Sequence, residues 1–148
     1  MPHYILNSVA GEAAQEAALR ERAAVLLRIG MWGIGAGEPH RDALAAGDLV
    51  LVYLGAPTWE FIGRAELASA VHAWTPSEAR AYPADSSNGV VLAQVDEWDP
   101  PVPMKTVLSR LDPTAKARGD FEAGVVRITA HEYETVLAVA AERAPSPG

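Results

Sequence analysis

Four tryptophans, Trp32, Trp59, Trp74 and Trp98, fall in or beside segments whose sequence reads as loop or turn. A flat indole at the mouth of a pocket stacks on a nucleobase, a contact worth about 1–3 kcal/mol per base. The same residue can instead cap the core beneath its own loop. Trp98 reads as such a cap and Trp59 fits either role, whereas Trp32 and Trp74 suit a pocket wall at least as well as a cap.

Other chemistries find less support. The four histidines, His3, His40, His72 and His131, share no HExxH or HxE spacing, so solvated or capping roles are the expectation and no metal is implied. There is no cysteine, which removes thiolate nucleophiles and thiolate zinc sites. No GxSxG elbow and no GxxxxGK[ST] loop occurs, and the glycines at 33, 35 and 37 precede no lysine of that kind. Asp96, Glu97 and Asp99 would do acid/base work only if one were desolvated, and before Pro100 they read as a solvated turn. Lys105, Arg110, Lys116 and Arg118 stand against Asp112 alone between Met104 and Gly119. They form either an ordinary solvated face or a patch able to hold a phosphate or two.

The 148 residues carry a formal charge of −7, which argues against a broad basic surface that coats nucleic acid. A polyanion partner would have to be gripped locally. The length suits one domain, expected over residues 1–143, with a frayed tail at 144–148. The first ten residues lack a basic n-region, and no apolar run approaches the roughly 18 residues of a membrane span, so a cytoplasmic protein with no membrane partner is expected. The abundance of Ala and Arg reads as the bias of a GC-rich bacterial coding sequence.

The elements that must position these residues follow from local pattern. His3 to Leu6 is a β run. Glu12 to Arg28 has neither Pro nor Gly, and Leu19, Ala23, Leu26 and Leu27 recur at helical spacing, with Gly30 as the stop. Met31 to Gly47 reads as an irregular loop before a polar turn. Leu49 to Leu54 and Glu60 to Ser69 read as a hairpin. Ala70 to Asn88 is expected to be a long surface excursion, a class of segment that is often functional. Gly89 to Trp98 is a strand stopped by Asp99-Pro100-Pro101, followed by a short helical turn from Met104 to Leu111. Phe121 to Ile128 is the last strand. Thr129-Ala-His-Glu132 then opens a helix with a capping box, presenting Tyr133, Val136, Leu137 and Ala140 on one face. The order lacks the regular alternation of a doubly wound sheet. It predicts an α+β fold, a mixed β pseudo-barrel of about five or six strands with flanking helices.

Six segments in order resemble the EVE domain, a member of the PUA-like superfamily with the YTH and ASCH domains. They are Tyr-Ile-Leu-Asn-Ser at 4–8, Gly-Met-Trp-Gly at 30–33, Ala-Gly-Asp-Leu-Val-Leu-Val-Tyr at 46–53, Phe-Ile-Gly-Arg-Ala-Glu-Leu-Ala-Ser at 61–69, Pro-Val-Pro-Met at 101–104 and Gly-Val-Val-Arg-Ile-Thr-Ala-His-Glu-Tyr at 124–133. The resemblance covers nearly the whole chain. It implies a non-enzymatic module, without cofactor, that takes a modified, methylated base of DNA or RNA into an aromatic pocket. By the same resemblance Trp32 is a cage wall, Gly33 and Ile34 follow it along the pocket, and Asn7 and Ser8 lie at the base edge. YTH domains often have a serine where this chain has Gly33, so only a backbone amide would meet the base there. Trp74, or Trp59 in its stead, would supply a further wall. Lys105 and Arg110 are the expected phosphate contacts, and a separate effector such as a nuclease is an expected partner. Two other functions stay open: an ASCH-like hydrolase using Lys105, Asp96 or His72, and a small-molecule or protein-interaction module on the same fold.

Overall fold

The computed structural model describes residues 2–8, 16–35, 38, 40–55, 59–82, 87–111 and 125–143. The first strand, β1 (His3–Ser8), leads to helix α1 (Glu16–Ile29) and then to a short strand β2 (Met31–Gly33). A hairpin follows, β3 (Leu49–Leu54) with β4 (Glu60–Leu67), and then a two-residue strand β5 (His72–Ala73) and helix α2 (Pro76–Ala81). The long strand β6 (Asn88–Pro103) runs into α3 (Met104–Arg110), and β7 (Val125–Ile128) precedes α4 (Ala130–Arg143).

The strands form one curled, mixed, seven-stranded sheet in the order β2-β6-β4-β3-β1-β7, with β5 attached to β6. β1 lies parallel to β3 and antiparallel to β7. The sheet makes a half-barrel with helices against it, the α+β architecture expected from the element order. The two strands beyond a five-stranded count are β2 and β5, and both are completed only by pairing with the start of β6.

Side-chain alternation along the strands divides the core in two. Tyr4, Leu6, Val50, Val52 and Leu54 pack with Ala23, Leu26 and Leu27 of α1, and with Trp32 and Ile34. Ile5, Leu51, Tyr53 and Phe61 pack with Met104 and Val107 of α3 and with Tyr133, Val136 and Val139 of α4. β3 is therefore covered on both sides, which is why Leu49-Val-Leu-Val-Tyr-Leu54 reads as an unbroken apolar run. The two sides are the α1 face and the α4 face.

Both helix ends singled out in the sequence form as expected. Gly30 takes φ +74°, and its amide donates to the Leu26 carbonyl at 2.9 Å, closing α1 in the left-handed conformation that glycine adopts without strain. At α4 the Thr129 Oγ1 accepts from the Glu132 amide at 3.0 Å while Glu132 Oε1 accepts from the Thr129 amide at 2.8 Å. Tyr133 and Val136 are buried on the face of α4 that was anticipated, with Leu137 and Ala140 packed beside them.

Four expectations change. Met31–Gly33 is a strand, because β6 offers it a partner in the register Met31↔Val91, Trp32↔Val90, Gly33↔Gly89. The excursion after the hairpin contains β5 and α2, the latter held by its own capping box between Thr75 and Glu78. Asp99-Pro100-Pro101 does not stop β6: the pairing with β4 jumps from Gly63↔Glu97 to Phe61↔Val102, so the prolines occupy an irregular stretch where no ladder amide is required. Asp96, Glu97 and Asp99 are consequently strand residues, not a turn. The proposed starts at Glu12 and Phe121, Gly37, the cations Lys116 and Arg118, and the tail at 144–148 lie outside the described residues. Among the described residues no helix is long and apolar enough to cross a membrane.

Candidate nucleobase slot

The first residues of β6 sit between β2 on one side and β5 on the other. Gly89 is the crossing point. A Cβ there would lie 2.3 Å from the Trp32 carbonyl oxygen and 2.4–2.5 Å from the Trp74 ring. Only glycine lets the Trp74 indole lie directly against this backbone. Trp74 is carried into place just after β5, where its amide donates to the Ser87 carbonyl at 2.9 Å. Its indole faces Tyr82 with ring centroids 5.1 Å apart and planes tilted by 36°, and His72 meets its edge at 5.6 Å. The Trp74 Nε1 is buried and has no hydrogen-bond acceptor among the described residues.

Tyr82 closes this arrangement. Its hydroxyl accepts a hydrogen bond from the Gly33 amide at 2.9 Å. β2 is the edge strand of the sheet, and the next amide, that of Ile34, donates back to the Asn88 carbonyl at 3.0 Å. Amides alternate in direction along a strand, so the Gly33 N–H points away from β6 and toward the Tyr82 hydroxyl. Burial raises the Tyr82 phenol above the usual tyrosine range, opposed by the Gly33 hydrogen bond and by the charge of Arg22 on α1.

The floor beneath is stiffened by a polar cluster. Glu78 Oε1 accepts from the Thr75 amide at 2.9 Å as the α2 cap and also contacts His72 Nε2 at 2.9 Å. The carbonyl of Ala70 and then the Glu78 carboxylate raise the His72 pKa, while the Thr75 amide and then His72 lower that of Glu78.

Of the residues singled out in the sequence, Trp32, Gly33, Ile34 and Trp74 come together. Trp32 is only 4% exposed and contributes its backbone to the floor, with its ring in the α1-face core; Ile34 is buried beside it. Asn7 is buried and follows Ile5 in strand alternation, away from the α1 face, with Gly55 against its amide group. Ser8 ends β1 opposite Leu54. Trp59, at φ 57°, packs on the α4-face core, and its carbonyl accepts the Met104 amide at 2.9 Å. Lys105 and Arg110 lie on α3, where Arg110 forms a two-pronged ion pair with Glu142. His72 belongs to the slot, whereas Asp96 lies in the groove described next and Lys105 on α3, so these three do not form one catalytic cluster. Sequence reasoning missed Tyr82 and Arg22.

A second concavity, about 410 Å³, opens on the α4 face between β6 and α4, lined among others by Arg64, Asp96, Trp98, Pro100, Leu137 and Ala140. Two of its carboxylates have cationic partners. Asp96 accepts from Trp98 Nε1 at 3.3 Å and contacts Arg64 Nε at 3.6 Å, and Glu97 pairs with Arg28 at 3.2 Å.

No family model matches the chain, and no curated protein matches it. Solved structures do. Human THYN1, solved in complex with DNA containing 5-methylcytosine, is similar over 98% of this chain and 100% of its own, with a TM-score of 0.62 and 14% identity. The YTH domain of Zygosaccharomyces rouxii MRB1, solved in complex with N6-methyladenosine RNA, is similar over 93% of this chain and 84% of its own, with a TM-score of 0.60 and 15% identity. ASCH from Zymomonas mobilis is similar over 93% of this chain and 94% of its own, at 0.53 and 12%. The fold is PUA-like. Two of these three structures hold methylated nucleic acid, and the third is an ASCH domain.

Proposed function

We propose that the chain is a non-enzymatic reader of a modified, methylated nucleobase in DNA or RNA. The observation that carries this reading is the aromatic slot at the start of β6, where Trp74 lies on Gly89 beside an outward-facing Gly33 amide. An indole face gives sequence-tolerant stacking, a methyl group entering an apolar slot gains roughly 0.8 kcal/mol from lost water contact, and a single amide donor orients the base edge. The scatter of His72, Asp96 and Lys105 supports binding over hydrolysis. The methylated ligands held by human THYN1 and by the YTH domain support the ligand class.

A charge of −7 limits any grip on the phosphate backbone. Arg22 is close enough to the Tyr82 phenol to favour its charged form, whereas Lys105 and Arg110 lie on α3, which packs on the α4 face. Affinity then rests on the pocketed base, and a separate effector such as a nuclease would supply further hold on the backbone.

Titration with short single-stranded oligonucleotides tests the reading, one RNA carrying N6-methyladenosine and one DNA carrying 5-methylcytosine, each beside its unmodified twin, followed by tryptophan fluorescence. The expected result is preference for one methylated strand and a loss of at least tenfold in Trp74→Ala, in line with the removal of one base stack. Equal binding to methylated and unmodified strands, or binding unchanged in Trp74→Ala, overturns it. Trp74 is the better probe because Trp32→Ala would also open the core.

A further inference from the structure

The slot is already filled by a side chain that has the shape and polarity of a base. Tyr82 presents a flat ring to Trp74 at 5.1 Å, and the polar atom at the edge of that ring accepts from the Gly33 amide at 2.9 Å. A nucleobase stacked on Trp74 with a ring nitrogen or carbonyl at the same point would make the same two contacts. Tyr82 is half-buried against the α1-face core, not locked within it. It also directly follows α2, a helix of six residues in which no residue is buried. Its anchorage is the amide bond to the Glu78 carbonyl at 2.9 Å, the ring contact with Trp74, the hydroxyl bond and packing of one part of the ring on the α1-face core.

Resting on the modified-base reading, we propose that Tyr82 is a resident placeholder, and that a base binds by displacing its phenol from Trp74 and from the Gly33 amide. This assigns the slot a specificity rule. The edge of the base that faces β2 must carry a hydrogen-bond acceptor, since a donor at that point would leave two N–H groups opposed and the Gly33 amide unsatisfied. Adenine and cytosine rings have such acceptors at their ring nitrogens. The placeholder also accounts for a protected edge amide in the free protein, where an open strand edge would otherwise offer its N–H to another chain.

The test uses the full chain and the two methylated oligonucleotides. Releasing the hydroxyl bond should tighten binding about fivefold in Tyr82→Phe, and releasing the ring as well should tighten it tenfold or more in Tyr82→Ala, from the usual strength of one hydrogen bond and one aromatic contact. Hydrogen exchange at the Gly33 amide supplies a second reading on the same proteins. It should quicken in Tyr82→Phe without oligonucleotide and slow again when the oligonucleotide is added. Weaker binding by Tyr82→Ala would make the tyrosine a wall of the cage, and unchanged binding by both variants would make it a structural lock; either overturns the placeholder. If Trp74→Ala abolishes binding while the Tyr82 variants fail to tighten it, the placeholder falls and the reader stands. If no variant distinguishes methylated from unmodified strands, both fall.

Discussion

On the α1 side of the sheet, Trp74 lies against a glycine with its ring nitrogen lacking an acceptor among the described residues; on the α4 side, Trp98 packs against the core with its nitrogen held by Asp96. The α4-face groove is an open concavity of about 410 Å³, and its walls carry the Arg64–Asp96 and Arg28–Glu97 ion pairs. On the α1 side Tyr82 lies against Trp74 and takes the Gly33 amide. A binding site is marked here less by empty volume than by polar groups whose present partner is easily exchanged. Matched charges make a stable surface, whereas an edge amide capped by a single side-chain hydroxyl makes a place where a ligand acceptor could compete.

The largest effects should separate the faces. Phe61 is 1% exposed in the α4-face core, and Phe61→Ala should lower stability by about 3–5 kcal/mol in urea unfolding while the folded fraction keeps its oligonucleotide affinity. Gly89→Ala should lower stability less, by about 1–3 kcal/mol for overpacking, yet abolish binding, because the new methyl lands within 2.5 Å of the Trp74 ring. If Phe61→Ala weakens affinity as much as Gly89→Ala does, the division between the faces fails.

A smaller effect distinguishes the cations. When binding is followed against salt, Arg22→Ala should reduce the slope of log affinity on log salt by about 1, and Arg110→Ala should leave it unchanged because Glu142 already engages that guanidinium. The opposite pattern would move the phosphate path to the α4 face.

The smallest effect is a pH dependence confined to the slot side. His72 has a raised pKa, so its contribution to stability is complete below the ordinary value near 6.5 and is lost as pH rises through the raised one. Glu78 has a lowered pKa, so its contribution is complete above the ordinary 4.5 and is lost as pH falls through the lowered one. Both contributions are complete between those two ordinary values. The melting-temperature difference between the wild type and His72→Gln should therefore be greatest near pH 5.5 and shrink as pH rises through the raised His72 pKa. A difference that widens with pH would remove the pair from any role beneath Trp74.

What the sequence disclosed depended on how local each signal was. The Thr129–Glu132 capping box was legible because a long amphipathic helix followed it, whereas the same signature at Thr75–Glu78 went unread at the head of a six-residue helix among prolines and serines. β2 was invisible because three residues containing a glycine become a strand only when Gly89 pairs with them. Trp32, Gly33 and Trp74 were within reach as loop aromatics and a resemblance to known segments. Tyr82 was not, since its partner amide lies 49 residues away and no spacing rule connects a helix-terminal tyrosine to an edge strand. The expectation of a turn at Asp99-Pro100-Pro101 failed for a related reason: a proline stops a strand only where the ladder needs its amide.

β6 is shared by both regions, its first residues flooring the slot and its later ones lining the groove before α3. Between them the chain takes φ 50° at Gln94, and the pairing with β4 slips between Arg64 and Glu66. Such a slip works as an expansion joint. A residue gained or lost near Gln94 would be absorbed there without shifting Gly89 against Trp74. The groove end of the protein can thus take a change of register while the slot keeps its own.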